Sequence, residues 1–173
     1  MRHRSMVALG VTCFVSGAAI ALASKPDATL FEGKEPKVAA SALLARAERA
    51  AGKGSWERIA IGAVYYQSGD KEKGQSYFDA VLGGVPAASD YFRIGWAYAR
   101  AGDWDKAKPM LEKANKLTPK DFDRLAGIAA WYIYKGERER GEEYLARALA
   151  MSPGDTWFYT DAAGAYLGVE PQP

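Results

Sequence analysis

Metal, haem and acyl-transfer chemistry draw on imidazole and thiolate groups. The chain of 173 residues holds one of each, His3 and Cys13, and both lie among the first 23 residues. Beyond them only carboxylates, Lys, Tyr, Ser and Thr remain to do chemistry. These form no pair fixed at a glycosidase-like separation, no phosphate-cradling glycine loop and no lysine nucleophile motif. The charged clusters Lys71-Glu72-Lys73 and Glu137-Arg138-Glu139-Arg140 alternate in sign, as on a solvated helix face. Glu142-Glu143 lies early in its helix, where acidic residues suit the dipole. No catalytic residue, cofactor or metal is expected, and an enzyme acting through carboxylates, for instance on cell-wall glycan, has no site to stand on. Binding is the chemistry this residue set supports.

The leading segment is distinct from the rest. Arg2, His3 and Arg4 form a short basic head, Met6 to Ala23 is an uncharged run of 18 residues, and Ala21-Leu22-Ala23 gives an A-x-A pattern before Ser24. This layout predicts a secretory signal over 1–23 and a mature chain in the periplasm or outside the cell. The alternative is an uncleaved anchor in the inner membrane, because 18 residues is the short edge of a spanning helix. Gly10, Thr12, Ser16 and Gly17 dilute its apolarity, which favours cleavage. Cys13 has no Leu three places upstream and does not fit a lipoprotein signal. Cleavage removes Arg2 and Arg4, so the 23 Lys+Arg fall to 21, equal to the 21 Asp+Glu. A neutral chain is not expected to bind nucleic acid. A membrane contact is expected only if the segment stays attached. The mature chain without cysteine has no disulfide framework.

From Lys37 onward Ala, Leu, Glu and Lys dominate, and Gly-Asp or Pro marks the breaks, so the pattern is all-helical. Residues 24–36, with Pro26, Gly33 and Pro36, are expected to form a flexible spacer. Three residue types then recur at one period. Tyr65, Tyr98 and Tyr132 are 33 and 34 residues apart, as are Gly69, Gly102 and Gly136, and Pro86, Pro119 and Pro153. A period of this size predicts a solenoid whose units bury their apolar faces by stacking. The units run over about 55–87, 88–121 and 122–154. Lys37 to Ala51 fits half a degenerate unit, 155–168 a closing helix, and 169–173 a tail, giving a domain over 37–168 with about eight helices. Small residues, Gly62, Gly95 and Ala129 with Gly74, Ala107 and Gly141, mark the helix crossings. Tyr65, Tyr98, Tyr132, Phe78, Leu111 and Leu145 are expected to fill the space beside them.

The closest runs to a known signature are Y-F-R-I-G-W-A-Y from Tyr91 and R-I-A-I-G-A-V-Y from Arg58. They resemble the tetratricopeptide repeat family, whose pattern is W-x2-L-G-x2-Y, a later A-x3-F, another alanine and a closing proline. Gly74 and Gly141 replace the usual alanine, and the signature tryptophan is Arg58, Tyr91 and Leu125. The resemblance implies a right-handed solenoid of helical hairpins whose first helices line a concave surface. Carried over in that register, the inner positions are Trp56, Ile59, Ala63 and Tyr66; Phe92, Trp96 and Arg100, with Arg93 beside them; Ala126, Ala130, Ile133 and Tyr134; and Trp157, Thr160 and Leu167. Trp56, Tyr66, Phe92, Arg93, Trp96, Arg100, Tyr134 and Trp157 make the candidate partner-binding groove, since aromatics and arginine dominate interface energetics. Some members clamp the terminal carboxylates of chaperone tails. Those positions fall here on Ile59, Ala63, Arg93, Asp123 and Gly127, of which only Arg93 could serve.

The expectation is therefore a non-enzymatic adaptor or scaffold module, exported, that holds a protein or peptide segment in an aromatic groove. The alternative is a self-associating or membrane-tethered structural subunit of a cell-envelope complex.

Overall fold

The computed structural model describes residues 27–172. The export segment expected over 1–23 lies outside them. Eight α-helices follow in order: α1 (Pro36–Ala50), α2 (Ser55–Gln67), α3 (Lys71–Leu82), α4 (Ala88–Arg100), α5 (Trp104–Leu117), α6 (Phe122–Tyr134), α7 (Arg138–Met151) and α8 (Thr156–Tyr166). A 3-10 turn at Ala28–Leu30 precedes α1, inside the stretch expected to be a spacer. Among the described residues there is no strand, and no helix is long and apolar enough to cross a membrane.

Local chemistry places the breaks. Asp70, Asp121 and Asp155 cap α3, α6 and α8 by accepting from the backbone N–H groups of Lys73, Arg124 and Trp157. Gly102 and Gly136 both sit at φ +83°, a left-handed conformation that only glycine adopts freely. There the chain turns so that the N–H of Asp103 donates to Tyr98 O and that of Glu137 to Tyr132 O, both at 2.9 Å. These bonds satisfy carbonyls that the helix end would otherwise orphan.

The hairpins α2–α3, α4–α5 and α6–α7 pack tightly because small residues meet where their helices cross. A Cβ placed on Gly74 would lie 2.6 Å from Tyr66 N and 2.7 Å from Gly62 O. Beside the crossings Phe78, Leu111, Tyr132 and Tyr144 are fully buried. Two positions differ from the sequence expectation. Tyr65 is half-buried, turned towards α1, where its hydroxyl donates to Glu48 at 2.9 Å. Its neighbour Tyr66 occupies the core in its place. In the third hairpin Tyr144 fills the slot expected for Leu145, packing its ring 5.5 Å from Tyr132. Leu145 is half-buried and packs instead against the small cluster of Ala130, Ile133 and Ala165.

Adjacent units are also joined through their turns. Asp103, just after Gly102, accepts from the Tyr66 hydroxyl at 2.6 Å and from Lys71 Nζ at 2.8 Å. Glu137, just after Gly136, accepts from Trp104 Nε1 at 2.7 Å and Lys108 Nζ at 2.9 Å. The same acid position thus links each unit to the one before it. The first helices do not stack evenly. α2 lies directly on α4, and α6 on α8, whereas α4 and α6 stand apart. Large rings fill that gap: Trp96 meets Trp131 edge-on at 5.5 Å.

Candidate partner-binding groove

The first helices line a cleft of about 730 Å³, which the repeat period assembles in rows. Trp56, Ser89, Asp123 and Trp157 are equivalent residues of successive first helices, and all four line it. Ala60, Arg93, Gly127 and Asp161 form a second such row. One face of each helix is therefore presented four times, and the side chains on it decide what the cleft can hold.

Six of the eight candidate residues meet in this cleft: Trp56, Phe92, Arg93, Trp96, Arg100 and Trp157. Their roles differ. Trp56 and Trp157 are 54% and 76% exposed and stand at opposite ends of their row, whereas Trp96 is only 8% exposed and forms part of the wall. Phe92 lies 5.1 Å from Trp96, and both rings close on α6 at Gly127. A Cβ on Gly127 would come within 2.9 Å of Trp96 and 3.0 Å of Phe92, so the absent side chain seats the aromatic wall. The Arg93 guanidinium stacks 3.9 Å over the Trp56 ring, an arrangement that pre-orients both groups at the surface.

Tyr66 is not in the groove. It is 1% exposed and packs edge-on against Tyr98 at 5.1 Å. Ten residues of α-helix turn through about 1000°, which leaves Tyr66 about 80° round from Trp56. Its equivalents Ala99 and Ile133 are buried as well, so this position serves contact between units. Tyr134 is also absent from the lining. It lies half-buried, edge-on to Trp131 at 5.7 Å, against the small cluster that α8 closes with Ala165. Ala130 and Ile133 belong to that same buried cluster, and Thr160 and Leu167 face solvent away from the cleft.

Sequence reasoning missed Gln67 and the acidic half of the groove. Gln67 is the equivalent of Arg100, and Asp161 that of Arg93, so the 33- and 34-residue period already pointed to both. Asp121, Asp123, Asp155 and Asp161 bring carboxylates to the α6 and α8 side, facing Arg93 and Arg100 on α4. Burial, reinforced by the Asp155 charge, pushes the Asp161 carboxyl above its usual range. Arg124 is held within the wall by Asp121 at 2.7 Å and by Thr118, with its Nε buried and unpaired among the described residues. The cleft is thus bipolar: cationic on α4, net anionic on the α6 and α8 side where Arg124 is paired with Asp121, and aromatic between.

Among the described residues no group of three or more His, Cys, Asp or Glu side chains could hold a metal ion. The arrangement offers shape, rings and fixed charges to a ligand. Residues 88–121 match the sequence profile of the tetratricopeptide repeat, a protein-interaction module that is typically non-catalytic. No curated protein matches the chain. The matched stretch comprises α4, α5 and the turn into α6. With α2–α3 before it and α6–α7 after it built on the same period, the helical array is consistent with the tetratricopeptide-repeat family.

Proposed function

We propose that this protein is an exported adaptor that holds an extended segment of a partner protein in the α2–α4–α6–α8 groove. The observation that carries the reading is the pair of exposed indoles, Trp56 and Trp157, at the ends of an open, bipolar cleft. Exposed aromatic rings flanked by arginine are the groups that most often supply interface energy. Export to the periplasm of a bacterium rests on the basic head, apolar run and A-x-A pattern of residues 1–23.

The test is partner capture from cell-envelope extract by the wild-type chain and by a Trp56→Ala, Trp157→Ala double variant. Both rings are mostly in water, so the double variant keeps its fold. Capture of specific partners falls sharply in the variant. An unchanged set of captured proteins would overturn the groove assignment. Trp96→Ala is the wrong probe, because emptying its place in the wall destabilises the array by about 3–5 kcal/mol. Mass measurement of the protein recovered from the periplasm tests export, with a mature chain starting at Ser24 as the expected product.

Self-association is the second reading, favoured by the uncovered side of α8, where Tyr159, Tyr166 and Leu167 are 50%, 46% and 82% exposed. Sedimentation of the chain without residues 1–23 separates the two, since a monomer at all concentrations removes the self-associating version.

A further inference from the structure

The segment after α8 does not leave the body of the protein. Gly168, at φ +78°, turns the chain, with its N–H donating to Ala165 O and the N–H of Val169 to Gly164 O at 2.8 Å. This paired closure fixes the exit direction from the helix. It carries Glu170 back to α4, where Arg100 Nε donates to its carboxylate at 3.0 Å, across 70 residues of sequence. Pro171 is buried, and Gln172 reaches the lining of the groove. The Arg100 end of the groove is therefore already met by this chain's own tail, through Glu170 on Arg100 and Gln172 on the lining.

That segment uses only part of the site. Arg93 lies seven residues before Arg100 on the same helix, so the two are about 10.5 Å apart along the axis. An extended chain spans that distance in about three residues. Three residues from Glu170 stand Leu167 and Pro173, neither of them acidic. Among the described residues Arg93 has no carboxylate within ion-pair distance and rests on Trp56 alone. The ion pair at Arg100 is itself weakly protected, with both side chains 38% exposed, which limits what it contributes.

We propose that Val169–Gln172 is an in-chain occupant of the groove, and that the partner segment which displaces it is extended and carries two carboxylates about three residues apart. One takes Arg100 from Glu170 and the other takes Arg93. This proposal rests on the groove being the partner site, and it adds the chemistry of what enters.

Fluorescently labelled, C-terminally amidated peptides test it against the full chain by anisotropy. The first peptide copies residues 167–173. Two others place glutamate at the position of Pro173 or of Leu167. A fourth replaces its central glutamate with glutamine. A two-acid peptide binds more tightly than the copy, and the peptide without the central acid binds least. Glu170→Gln in the protein strengthens binding up to about fivefold, the limit for a half-exposed ion pair. Arg93→Ala removes the advantage of the second acid. The proposal is overturned if no peptide binds, if Glu170→Gln leaves every affinity unchanged, or if the second carboxylate brings no gain. Should partner capture still require Trp56 and Trp157 in that event, the groove stands and only the acidic partner and the in-chain occupant fall.

Discussion

Tyr66 shows how a single hydroxyl can join two units. Burial first, and then the hydrogen bond to Asp103, push it up from 10.0 to about 12. The folded chain therefore favours the neutral phenol, and its stabilisation is complete below pH 10 and lost as pH climbs from 10 towards 12. Tyr66→Phe keeps the ring packing and removes the bond to a carboxylate that is 30% exposed, at about 1.5 kcal/mol. Urea unfolding checks both parts: the variant is less stable at neutral pH and loses less between pH 10 and 11. Asp103 is held below the usual carboxylate range chiefly by Lys71 and then by Tyr66, so its contribution is present above that range and lost on acidification. None of this was legible in the sequence, where Tyr66 reads as another inner aromatic. Helical spacing gives a direction to within one residue step of 100°, and one step separates groove wall from unit interface. Trp56, Arg93 and Trp157 lie where the angular error matters least, near the middle of the open face.

At the level of helices and turns, the period was sufficient. A glycine at each break and a proline after each pair placed the three hairpins, because helix termination is a local matter of backbone conformation and missing donors. The close crossings were legible too, but the price of disturbing each was not, since it depends on which atoms lie opposite. At Gly74 a methyl group meets the backbone of α2, at 2.6 Å from Tyr66 N and 2.7 Å from Gly62 O. At Gly95 it meets side chains alone, Leu111 Cγ and Cδ2 at 2.9 Å and Met110 Cβ at 3.1 Å, but Leu111 is fully buried and has little room to yield. Gly74→Ala is therefore expected to destabilise by about 3 kcal/mol despite the better helix former, and Gly95→Ala, where only side chains must shift, by about 1 kcal/mol. Thermal melts followed by circular dichroism distinguish the two. The standing-off of α4 from α6 is a further feature that no residue pattern announced, because it comes from the summed bulk of Phe92, Trp96 and Trp131 in one place.

Across the whole molecule, stability is uneven in a way that follows from stacking. α6 has nine buried residues and neighbours on both sides, whereas α1 has none and is held through Glu48, which accepts from Tyr65 on α2 and from Lys73 and Tyr77 on α3. Elements with few buried contacts open locally before the rest. Amide hydrogen exchange should show α1 exchanging well ahead of α6, by at least about tenfold in rate, and equal protection would mean that the array unfolds as one unit. The bipolar groove belongs to this scale as well. Apart from Arg124, which is paired with Asp121 beside it, its cations come from α4 and its carboxylates from the α6 and α8 side, so no single repeat carries the whole pattern, and a reading one unit at a time does not reveal it.

Four of the five tryptophans of the chain divide into two optical populations, and the fifth, Trp104, is half-buried outside the cleft. Trp96 and Trp131 are sealed in the wall at 8% and 0% exposure, while Trp56 and Trp157 project into water from the ends of the cleft. A guest lying between those ends shades the outer indoles from a dissolved quencher such as acrylamide and shifts their emission to the blue, and the inner pair hardly responds. The protein therefore carries a built-in gauge of its own occupancy, read from intrinsic fluorescence with no label attached.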